Sequence, residues 1–463
     1  MTRERNTERK RSKTPPRFLF QSAPAQVMGP RLMVILSTLA LLAMGLVMVY
    51  SSSSITSYVE QGDALGETLK QCAFAVVGIV IATVIALFAK QSSMQGRAGV
   101  IFWGVCCALI LITAFGGTVG LGAKRWLIIG PISIQISEFA KIAFVMIAAR
   151  IAAQYREGEI DSNTAAKMAA VMVGLPLVFM FFAQSDMGTT LICCIGLFSV
   201  LFLSGLSGRA TAAVVAVGVL AMIAAILSKS YRADRLGNFL DPWADAQGTG
   251  YQLVHSFKAL ASGGLFGAGI GNSYEKLQYL PEAETDFIFA IIGEELGLLG
   301  SLVVIAAFLV FMRGGFLIAS GASTPFGSLL AAGLTVMIVF QAFLNISCVV
   351  GMFPTTGKPL PFISSGGSSL LSSLTLVGVL LSISFDSSNE GEYRQRRDNL
   401  QVVSRVSPSE RPGRSAQGPE GRGARMRRSS LSEHEGRPSL QVVRGGKAPM
   451  YAAEVRGMRT QRR

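Results

Sequence analysis

Three acidic side chains lie close together where a polar stretch of the sequence becomes apolar. Glu282, Glu284 and Asp286 precede an apolar run that continues to Phe311. A carboxylate in such a place can act as a general base that takes a proton from an attacking hydroxyl. The alternative is structural: Thr285 or Asp286 would cap the following helix by accepting backbone N–H groups, which contributes about 1 kcal/mol.

Small residues follow the acids at helical intervals. Gly293, Gly297 and Gly300 recur at spacings of four and three, and Gly293 comes seven residues after Asp286. Residues at these spacings share one helical face, and small residues on a membrane helix let neighbouring backbones approach closely. We therefore expect Asp286 and the glycines to face a tightly packed bundle.

Other charged residues lie inside or at the ends of apolar runs, where a charge at the bilayer centre costs about 2.5 to 3.5 kcal/mol. Glu138 and Lys141 are three residues apart and share a helical face, which fits either a local ion pair or a role in positioning a substrate. Asp186 either caps a helix or takes part in catalysis. Glu294 and Glu295 need partners inside the bundle, and polar packing between helices is the simplest role for them.

Basic residues between apolar runs are candidates for holding an anion. Lys124, Arg125 and Trp126 form a basic and aromatic group, and Lys358 lies in a later segment rich in proline and glycine. The structural interpretation of the first group is anchoring at a membrane interface. The chemical interpretation is binding of a diphosphate.

Composition indicates that membrane helices position these residues. Half of the 463 residues are hydrophobic and 15% are charged, which places the chain among polytopic membrane proteins and excludes a soluble enzyme. The net charge of +14 comes mainly from the two ends, which fits the cytoplasmic face of a membrane. No stacking platform or recognition helix accompanies this charge, so we expect no nucleic acid partner.

Ten apolar runs have roughly the length that spans a bilayer, about 17 to 25 residues. We therefore predict an all-α polytopic membrane protein with ten transmembrane helices. Lys90, Arg150, Arg209 and Arg313 fall in alternate loops, on the side of the basic N-terminus, so both termini are predicted to be cytoplasmic. The runs are 32–52, 69–89, 99–116, 137–154, 167–184, 189–207, 210–228, 286–312, 325–349 and 369–385.

The remaining segments complete a prediction of three regions. Residues 1–31 are basic and carry several prolines, and residues 386–463 are polar and rich in arginine, so both are predicted to be disordered cytoplasmic tails around a membrane domain, 32–385. Within that domain, 229–285 forms a large extracytoplasmic loop between spans seven and eight, and loops of this length are commonly functional. Apolar residues at helical spacing predict a short helix on the membrane surface at Tyr251 to Ser262.

The segment from Gly351 to Ser369 cannot be a membrane helix because of its prolines and glycines, so at membrane depth it would have to line a wet cavity. Its spacing does not match a phosphate-binding loop. His255 has no second ligand nearby, and we expect a hydrogen-bonded loop residue instead of a zinc ligand. The six cysteines fall in apolar segments, without a metal-binding spacing or a disulfide framework.

Several segments, taken in order, resemble the SEDS family of shape, elongation, division and sporulation proteins over nearly all of residues 32–385. Trp243 and the residues from Tyr279 to Asp286 are closer to its FtsW-like division branch than to its RodA-like branch. Ile136 and Ser185 stand where the family usually has proline, which changes the expected local loop geometry. The matching segments are Gly122 to Trp126, Ser137 to Lys141, Gln184 to Thr189, Leu240 to Trp243, Tyr279 to Gly297, and Lys358 to Gly367.

The resemblance implies a ten-span peptidoglycan glycosyltransferase that acts on lipid II at the outer face of the plasma (inner) membrane, at the division septum. It implies an essential acid at the position of Asp286. It also implies function with a class B penicillin-binding protein, a transpeptidase, and with other membrane proteins of the divisome. By matched position, the candidates for the substrate cavity are Arg125, Trp126, Glu138, Lys141, Asp186 and Lys358.

The chemistry of that reaction fits the residues. The 4-hydroxyl of a GlcNAc must lose a proton as it attacks the anomeric carbon of a MurNAc, and Asp286 is the candidate base. A single displacement would invert the α-linked donor to a β-1,4 product. Lys124, Arg125 and Lys358 are candidates to neutralise the departing lipid diphosphate. A divalent cation (Mg²⁺ or Mn²⁺) could share this task, but the sequence offers no dedicated set of ligands, and no other cofactor is called for.

Two alternatives remain open from the sequence. Charges inside the membrane and broken backbone are also features of transporters, which would make the chain a lipid II flippase. No convincing repeat relates the two halves, however, and the acids concentrate on one side of the membrane. A scaffold without catalytic chemistry would leave Asp286 as a helix cap.

Overall fold

The computed structural model describes residues 25–116, 118–120, 123–129, 132–205 and 239–398. The chain divides into two units, Met1–Ser388 and Asn389–Arg463, and the candidate site lies in the first. The predicted run 210–228, the first part of the loop that follows it, and most of both predicted tails fall outside the described residues.

Long helices make up most of the described chain. Nine predicted apolar runs coincide with helical segments, because each run supplies enough apolar side chains to cover a helix in lipid or in the bundle. The helices are α1 Ala25–Gln61, α2 Gly66–Phe88, α3 Gln91–Gln95, α4 Arg97–Gly116, α5 Ile136–Arg156, α6 Ser162–Ala169, α7 Leu175–Ala183, α8 Met187–Leu203, α9 Tyr251–Gly263, α10 Ile288–Ser320, α11 Pro325–Val349 and α12 Gly367–Asp398, with a π-helical turn at Ala170–Gly174 between α6 and α7.

Within the described residues, seven helical segments are long and apolar enough to cross a membrane. They are α1, α2, α4, the continuous segment Ser162–Ala183, α10, α11 and the part of α12 up to Ser387. The apolar helix α8 is shorter, at 17 residues. Helix α5 has spanning length, but Glu138, Lys141 and Arg150 lie within it, and these charges set it apart from the seven apolar segments.

Helices α11 and α12 form the centre of the bundle. In α12, 89% of the membrane-length segment is buried, against 22% in α4. Serines line the buried face of α12, and their small side chains permit close helix packing. Helices α2 and α4 instead expose large apolar side chains such as Phe88 and Ile101, as expected for surfaces that face lipid.

A small antiparallel sheet precedes α5 and was not anticipated by the all-α prediction. Its strands are β1 Thr118–Gly120, β2 Ala123–Ile129 and β3 Ile132–Gln135, in the order β1-β2-β3. Trp126 pairs with Gln135, so β2 and β3 form a hairpin that leads directly into α5. Branched side chains such as Ile128 and Ile134 favour strands, but these strands are shorter than the apolar runs that identify membrane spans.

Helix α10 differs from the prediction in two ways. It begins at Ile288, after Asp286, and its backbone is broken at Gly297, where φ is +69°. The expected common helical face from Asp286 to Gly300 is therefore wrong. The gap at Gly297 is occupied by backbone from the glycine-rich loop after α9: the Ala268 N–H donates to the Glu294 carbonyl at 2.9 Å, and the Leu298 N–H to the Gly264 carbonyl at 3.0 Å.

The helix predicted from Tyr251 to Ser262 is present as α9. It packs so closely against α10 that a Cβ atom on Gly263 would lie only 1.9 Å from the Gly293 carbonyl oxygen. Leu253, Val254 and Ala259 of α9 are buried. The glycines after α9 thus serve close backbone packing against α10.

Candidate functional site

Asp286 lies in the turn that leads into α10 and is half-buried. The N-cap position of α10 is Phe287, whose side chain has no polar atom with which to cap. Thr285 is engaged elsewhere, since its hydroxyl donates to a carboxylate oxygen of Glu282 at 2.6 Å. Oxygen Oδ2 of Asp286 lies 3.5 Å from the point that a Cβ atom on Gly357 would occupy. The acid is therefore beside the loop that connects α11 and α12.

This connecting loop docks onto the acidic segment through hydrogen bonds. The Ser364 hydroxyl donates to the Thr285 carbonyl at 2.6 Å, and the Ser365 N–H donates to the Glu284 carbonyl at 2.8 Å. The side-chain amide of Asn345 on α11 donates to the carbonyl oxygens of both Asp286 and Lys358, each at 2.8 Å. As predicted, the loop between α11 and α12 is not helical. Its backbone groups form hydrogen bonds within the protein, as buried irregular backbone requires.

Lys358 extends from this loop into a group of buried charges. Its ammonium lies 2.9 Å from Asp186 Oδ1 and 3.8 Å from Glu138 Oε1, and it donates to the Thr189 hydroxyl. Only 3% of the Lys358 side chain is exposed. The aliphatic part of the lysine packs over Gly188, where any Cβ atom would lie 2.5 Å from Lys358 Cγ.

Lys141 pairs with Glu138 one helical turn away, at 2.7 Å, and neither side chain reaches solvent to more than 2%. The Lys141 ammonium also donates to the side-chain carbonyl of Gln341 at 2.7 Å. The Gln341 amide in turn donates to the Pro359 carbonyl at 3.0 Å. This chain of contacts links α5 and α11 to the loop that holds Lys358, and the predicted ion pair is part of it.

Of the two roles that the sequence left open, Asp186 has the structural one. It caps α8, since its carboxylate accepts the Thr189 N–H at 3.2 Å. It also accepts the Ser137 hydroxyl at 2.8 Å and the Gln135 amide at 3.0 Å. Burial by itself would raise the pKa of Asp186, but the Lys358 ammonium and the Arg125 guanidinium hold that pKa well below its usual range. Asp186 is therefore an anion that organises the surrounding donors.

Arg125 is the partly exposed member of the group, with 26% of its side chain accessible. It extends from β2, where its guanidinium donates to the Gln184 carbonyl at 2.9 Å and the Ser185 carbonyl at 2.7 Å. Ser185 has a φ of +51°, which a proline ring could not adopt. Trp126 is half-buried beside Arg125, and Lys124 lies in β2 opposite Val119, with its side chain outside the described residues.

We refer to Arg125, Glu138, Lys141, Asp186 and Lys358 as the site cluster. Its three cations face two carboxylates, so one positive charge remains, and Arg125 is the member that solvent reaches. The loop that carries Lys358 also borders Asp286. Gly357 borders the half-buried carboxylate of Asp286, and the next residue, Lys358, belongs to the cationic site cluster. In such an arrangement the carboxylate can deprotonate a hydroxyl while the cations hold an anion near it.

A second group of polar side chains was recognised only in part from the sequence. Glu294 and Glu295 do have buried partners, but these come largely from the loop before α10, including Lys276, whose ammonium lies 2.8 Å from Glu295. His255 lies in α9, with Nδ1 2.5 Å from a carboxylate oxygen of Glu275. Nothing periodic in the sequence marks Lys276 or Glu275.

A resident metal site is not supported by the side chains of the described residues. None of their His, Cys, Asp and Glu side chains form a group of three or more that could hold a metal ion. Around Asp186, the Ser137 hydroxyl, the Gln135 amide and the Lys358 ammonium all contact its carboxylate and compensate its charge. No chemical step is therefore assigned to a bound metal.

Comparison with known proteins gives a consistent result. The family of FtsW, RodA and SpoVE, described as "Cell cycle protein", matches residues 31–389. A probable peptidoglycan glycosyltransferase FtsW of Shewanella sediminis is 36% identical over 389 residues, which cover 83% of this chain and 92% of that protein. The stage V sporulation protein E of Bacillus subtilis is 35% identical over 359 residues, covering 77% of this chain and 97% of that protein.

Solved structures share the fold. A chain from a peptidoglycan synthase complex that coordinates polymerization and crosslinking superposes with a TM-score of 0.64 and 22% identity, covering 80% of this chain and 99% of that chain. The rod shape determining protein RodA of Thermus thermophilus superposes with a TM-score of 0.57 and 22% identity, covering 79% of this chain and 98% of that chain. At 22% sequence identity, this similarity shows a shared fold only.

Proposed function

This chain belongs to the FtsW, RodA and SpoVE family of cell cycle proteins and is a peptidoglycan glycosyltransferase, and from that premise we propose that it polymerises lipid II with Asp286 as its general base. The observation that carries the proposal is the position of the Asp286 carboxylate beside Gly357, next to the lysine that enters the site cluster. The Asp286 carboxylate and the carboxylates paired with Lys358 therefore both border this loop.

The proposed reaction is a single displacement. The 4-hydroxyl of the acceptor GlcNAc attacks the anomeric carbon of the donor MurNAc, and its proton passes to the Asp286 carboxylate. The bond from that carbon to the diphosphate oxygen breaks, and undecaprenyl diphosphate leaves with the bonding electrons. Attack opposite the leaving group inverts the α-linked donor to a β-1,4 product. A positioned base of this kind contributes typically 10²- to 10⁴-fold.

The leaving group requires positive charge as it departs. Arg125 is the accessible cation of the site cluster, and Lys124 and Trp126 neighbour it on β2. Lys141 and Lys358 are enclosed, so we assign to them the positive potential behind Arg125. Glu138 and Asp186 hold these lysines in place through direct ion pairs. This division of roles makes Arg125 the first contact for the diphosphate.

We further propose the finer topology and setting that the sequence predicts. Ten spans would place both termini in the cytoplasm and the loop 229–285 outside the plasma (inner) membrane, at the division septum. A class B penicillin-binding protein is the proposed partner, with other divisome membrane proteins around it. Support comes from the similar chain that forms part of a synthase complex combining polymerization with crosslinking.

The test of the proposed base uses purified full-length protein with its transpeptidase partner and labelled lipid II. We expect Asp286→Asn to reduce glycan formation by at least about 100-fold while the protein remains folded. Asp63→Asn is the matched control, because Asp63 is an exposed acid in the turn between α1 and α2. Unchanged glycan chains from Asp286→Asn would refute the base. Transport of lipid II across vesicles without polymer would favour a flippase.

A further inference from the structure

A second group of buried polar residues lies between α1, α10 and the chain segment 272–287 that leads to Asp286. We call it the loop-anchor cluster; its members are Ser51, Ser273, Lys276, Glu294 and Glu295. All five side chains are buried, with Glu295 at 0% exposure. None of them belongs to the site cluster, and the proposed reaction uses none of them directly.

Glu295 holds the segment through an ion pair. The Lys276 ammonium lies 2.8 Å from Glu295 Oε1 and donates to the Ser51 hydroxyl oxygen at 3.0 Å. That hydroxyl is 2.6 Å from Oε1 and 2.7 Å from Oε2 of the same carboxylate. The contact ties α1, α10 and the segment together at one point.

Glu294 holds the same segment through its backbone. One carboxylate oxygen accepts the N–H groups of Tyr274 at 2.7 Å and Glu275 at 3.4 Å, and the other accepts the Ser273 hydroxyl. The Ser273 N–H donates to Oε1 of Glu295 at 3.3 Å. Adjacent glutamates on α10 thus fix consecutive residues of the segment.

The two glutamates follow Asp286 by eight and nine residues, whereas the residues they hold precede it. The first residues of the segment therefore contact α10, which is the helix that the chain enters after Asp286. Its other end is fixed independently, since Asn345 donates to the Asp286 carbonyl and Ser364 to the Thr285 carbonyl. The segment 272–287 is therefore held at both ends, and the loop-anchor cluster holds the end that is farther from Asp286 in the chain.

A buried charged cluster of this kind adds little net stability to the fold. Buried ion pairs are often no more stabilising than well-packed apolar residues of the same volume, because the charges lose their hydration. Their directional bonds do specify geometry, and displacement of a reacting group by about 1 Å can cost about 10²-fold in rate. Such specification is useful where a carboxylate must meet a sugar hydroxyl within hydrogen-bond distance.

We propose that the loop-anchor cluster positions Asp286 for proton transfer, so that Lys276, Glu294 and Glu295 are positioning residues of the glycosyltransferase reaction. The proposal rests on the proposed role of Asp286. Loss of the Lys276 to Glu295 pair loosens the segment 272–287 and lowers the turnover rate, while binding of lipid II at the site cluster stays intact.

The experiment compares four variants of the full-length protein with its partner. Lys276→Met and Glu295→Gln remove the pair, Lys276→Arg retains it, and Lys70→Met removes an exposed pair with Glu67 as the matched control. We expect kcat to fall about 10- to 100-fold in the first two variants, with KM for lipid II within about twofold of wild type. Lys276→Arg should recover most of the rate, and Lys70→Met should retain all of it.

Hydrogen exchange provides a readout that does not depend on activity. Amides of 272–287 should exchange faster in Lys276→Met and Glu295→Gln than in wild type or Lys70→Met. Wild-type kcat in a folded Lys276→Met protein would overturn the proposal, as would a fall in kcat without faster exchange in this segment. Should Lys276→Met not fold, Ser51→Ala removes one hydroxyl of the cluster and serves for the same two measurements.

Asp286→Asn, measured in parallel, separates the two proposals. If Asp286→Asn is inactive and Lys276→Met is fully active, the base assignment holds and the positioning role fails. If Asp286→Asn is fully active, the base assignment itself fails, and the positioning role fails with it whatever the exchange data show.

Discussion

The Lys358 ammonium lies 2.9 Å from a carboxylate oxygen of Asp186, although the two residues are far apart in the chain. Asp186 caps α8, and Lys358 belongs to the loop between α11 and α12. Their contact fixes that loop against the remainder of the bundle. Because Gly357 of the same loop borders Asp286, the pair also sets the distance between the proposed base and the cations.

Lys358→Met should destabilise the protein strongly, because it leaves Asp186 buried with less compensation. Breaking a buried pair on one side costs about 3 to 5 kcal/mol, whereas loss of the exposed Lys70 to Glu67 pair costs about 0 to 1 kcal/mol. Thermal unfolding in detergent should therefore show a marked loss for Lys358→Met and almost none for Lys70→Met. Equal unfolding temperatures would mean that the contact with Asp186 contributes little.

Gly188→Ala should displace Lys358. A Cβ atom at this position would lie 2.5 Å from Lys358 Cγ and 2.8 Å from Cε, so the lysine must leave its present path. We expect about a tenfold loss of polymerisation rate. Gly104→Ala on α4 is the control, since a Cβ atom there meets nothing within 4 Å. Equal activity of the two variants would show that the lysine can move without consequence.

Arg125→Met should weaken use of lipid II more than it weakens folding, because Arg125 is the accessible cation of the site cluster. We expect kcat/KM to fall about 10- to 100-fold. Arg125→Lys should restore only part of it, since a lysine cannot reproduce the two-pronged contact with the Gln184 and Ser185 carbonyls. Full activity of Arg125→Met would contradict the proposed contact between Arg125 and the diphosphate.

The lowered pKa of Asp186 predicts a pH dependence of stability with a defined sign. A carboxyl whose pKa is lower in the folded state stabilises that state above its unfolded pKa of about 3.9, and the contribution is lost as pH falls through the folded value. The stability advantage of wild type over Asp186→Asn should thus be constant near neutral pH and shrink below about pH 4. An advantage that stays constant down to pH 2.5 would contradict the assignment.

Gly297→Ala should prevent correct folding of α10 around its break. Gly297 has a φ of +69°, and an added Cβ atom would lie 2.4 Å from the Gly267 nitrogen, which is backbone and cannot move aside. Gly62→Ala isolates the conformational part of this cost, because Gly62 has a φ of +72° with nothing within 4 Å. We expect Gly62→Ala to cost about 1 to 2 kcal/mol and Gly297→Ala clearly more, by thermal unfolding.

Local features of the sequence were enough to predict the helices and to select Asp286 as the candidate base. Each apolar run near bilayer length became a helical segment wherever the structure describes it, because a backbone in lipid must satisfy its own hydrogen bonds. The spacing of Glu138 and Lys141 was enough to place them together on α5, since residues three apart share a helical face.

Only the tertiary structure decided which of these residues meet. The pairing of Lys358 with Asp186, the docking of Lys276 onto Glu295 and the break of α10 at Gly297 all join segments distant in sequence. Their physical cause is the packing of loops against helices, which leaves no periodic pattern in the chain. The sequence by itself determined a membrane-embedded bundle with an acid just before α10, and folding determined that this acid borders the loop that carries Lys358.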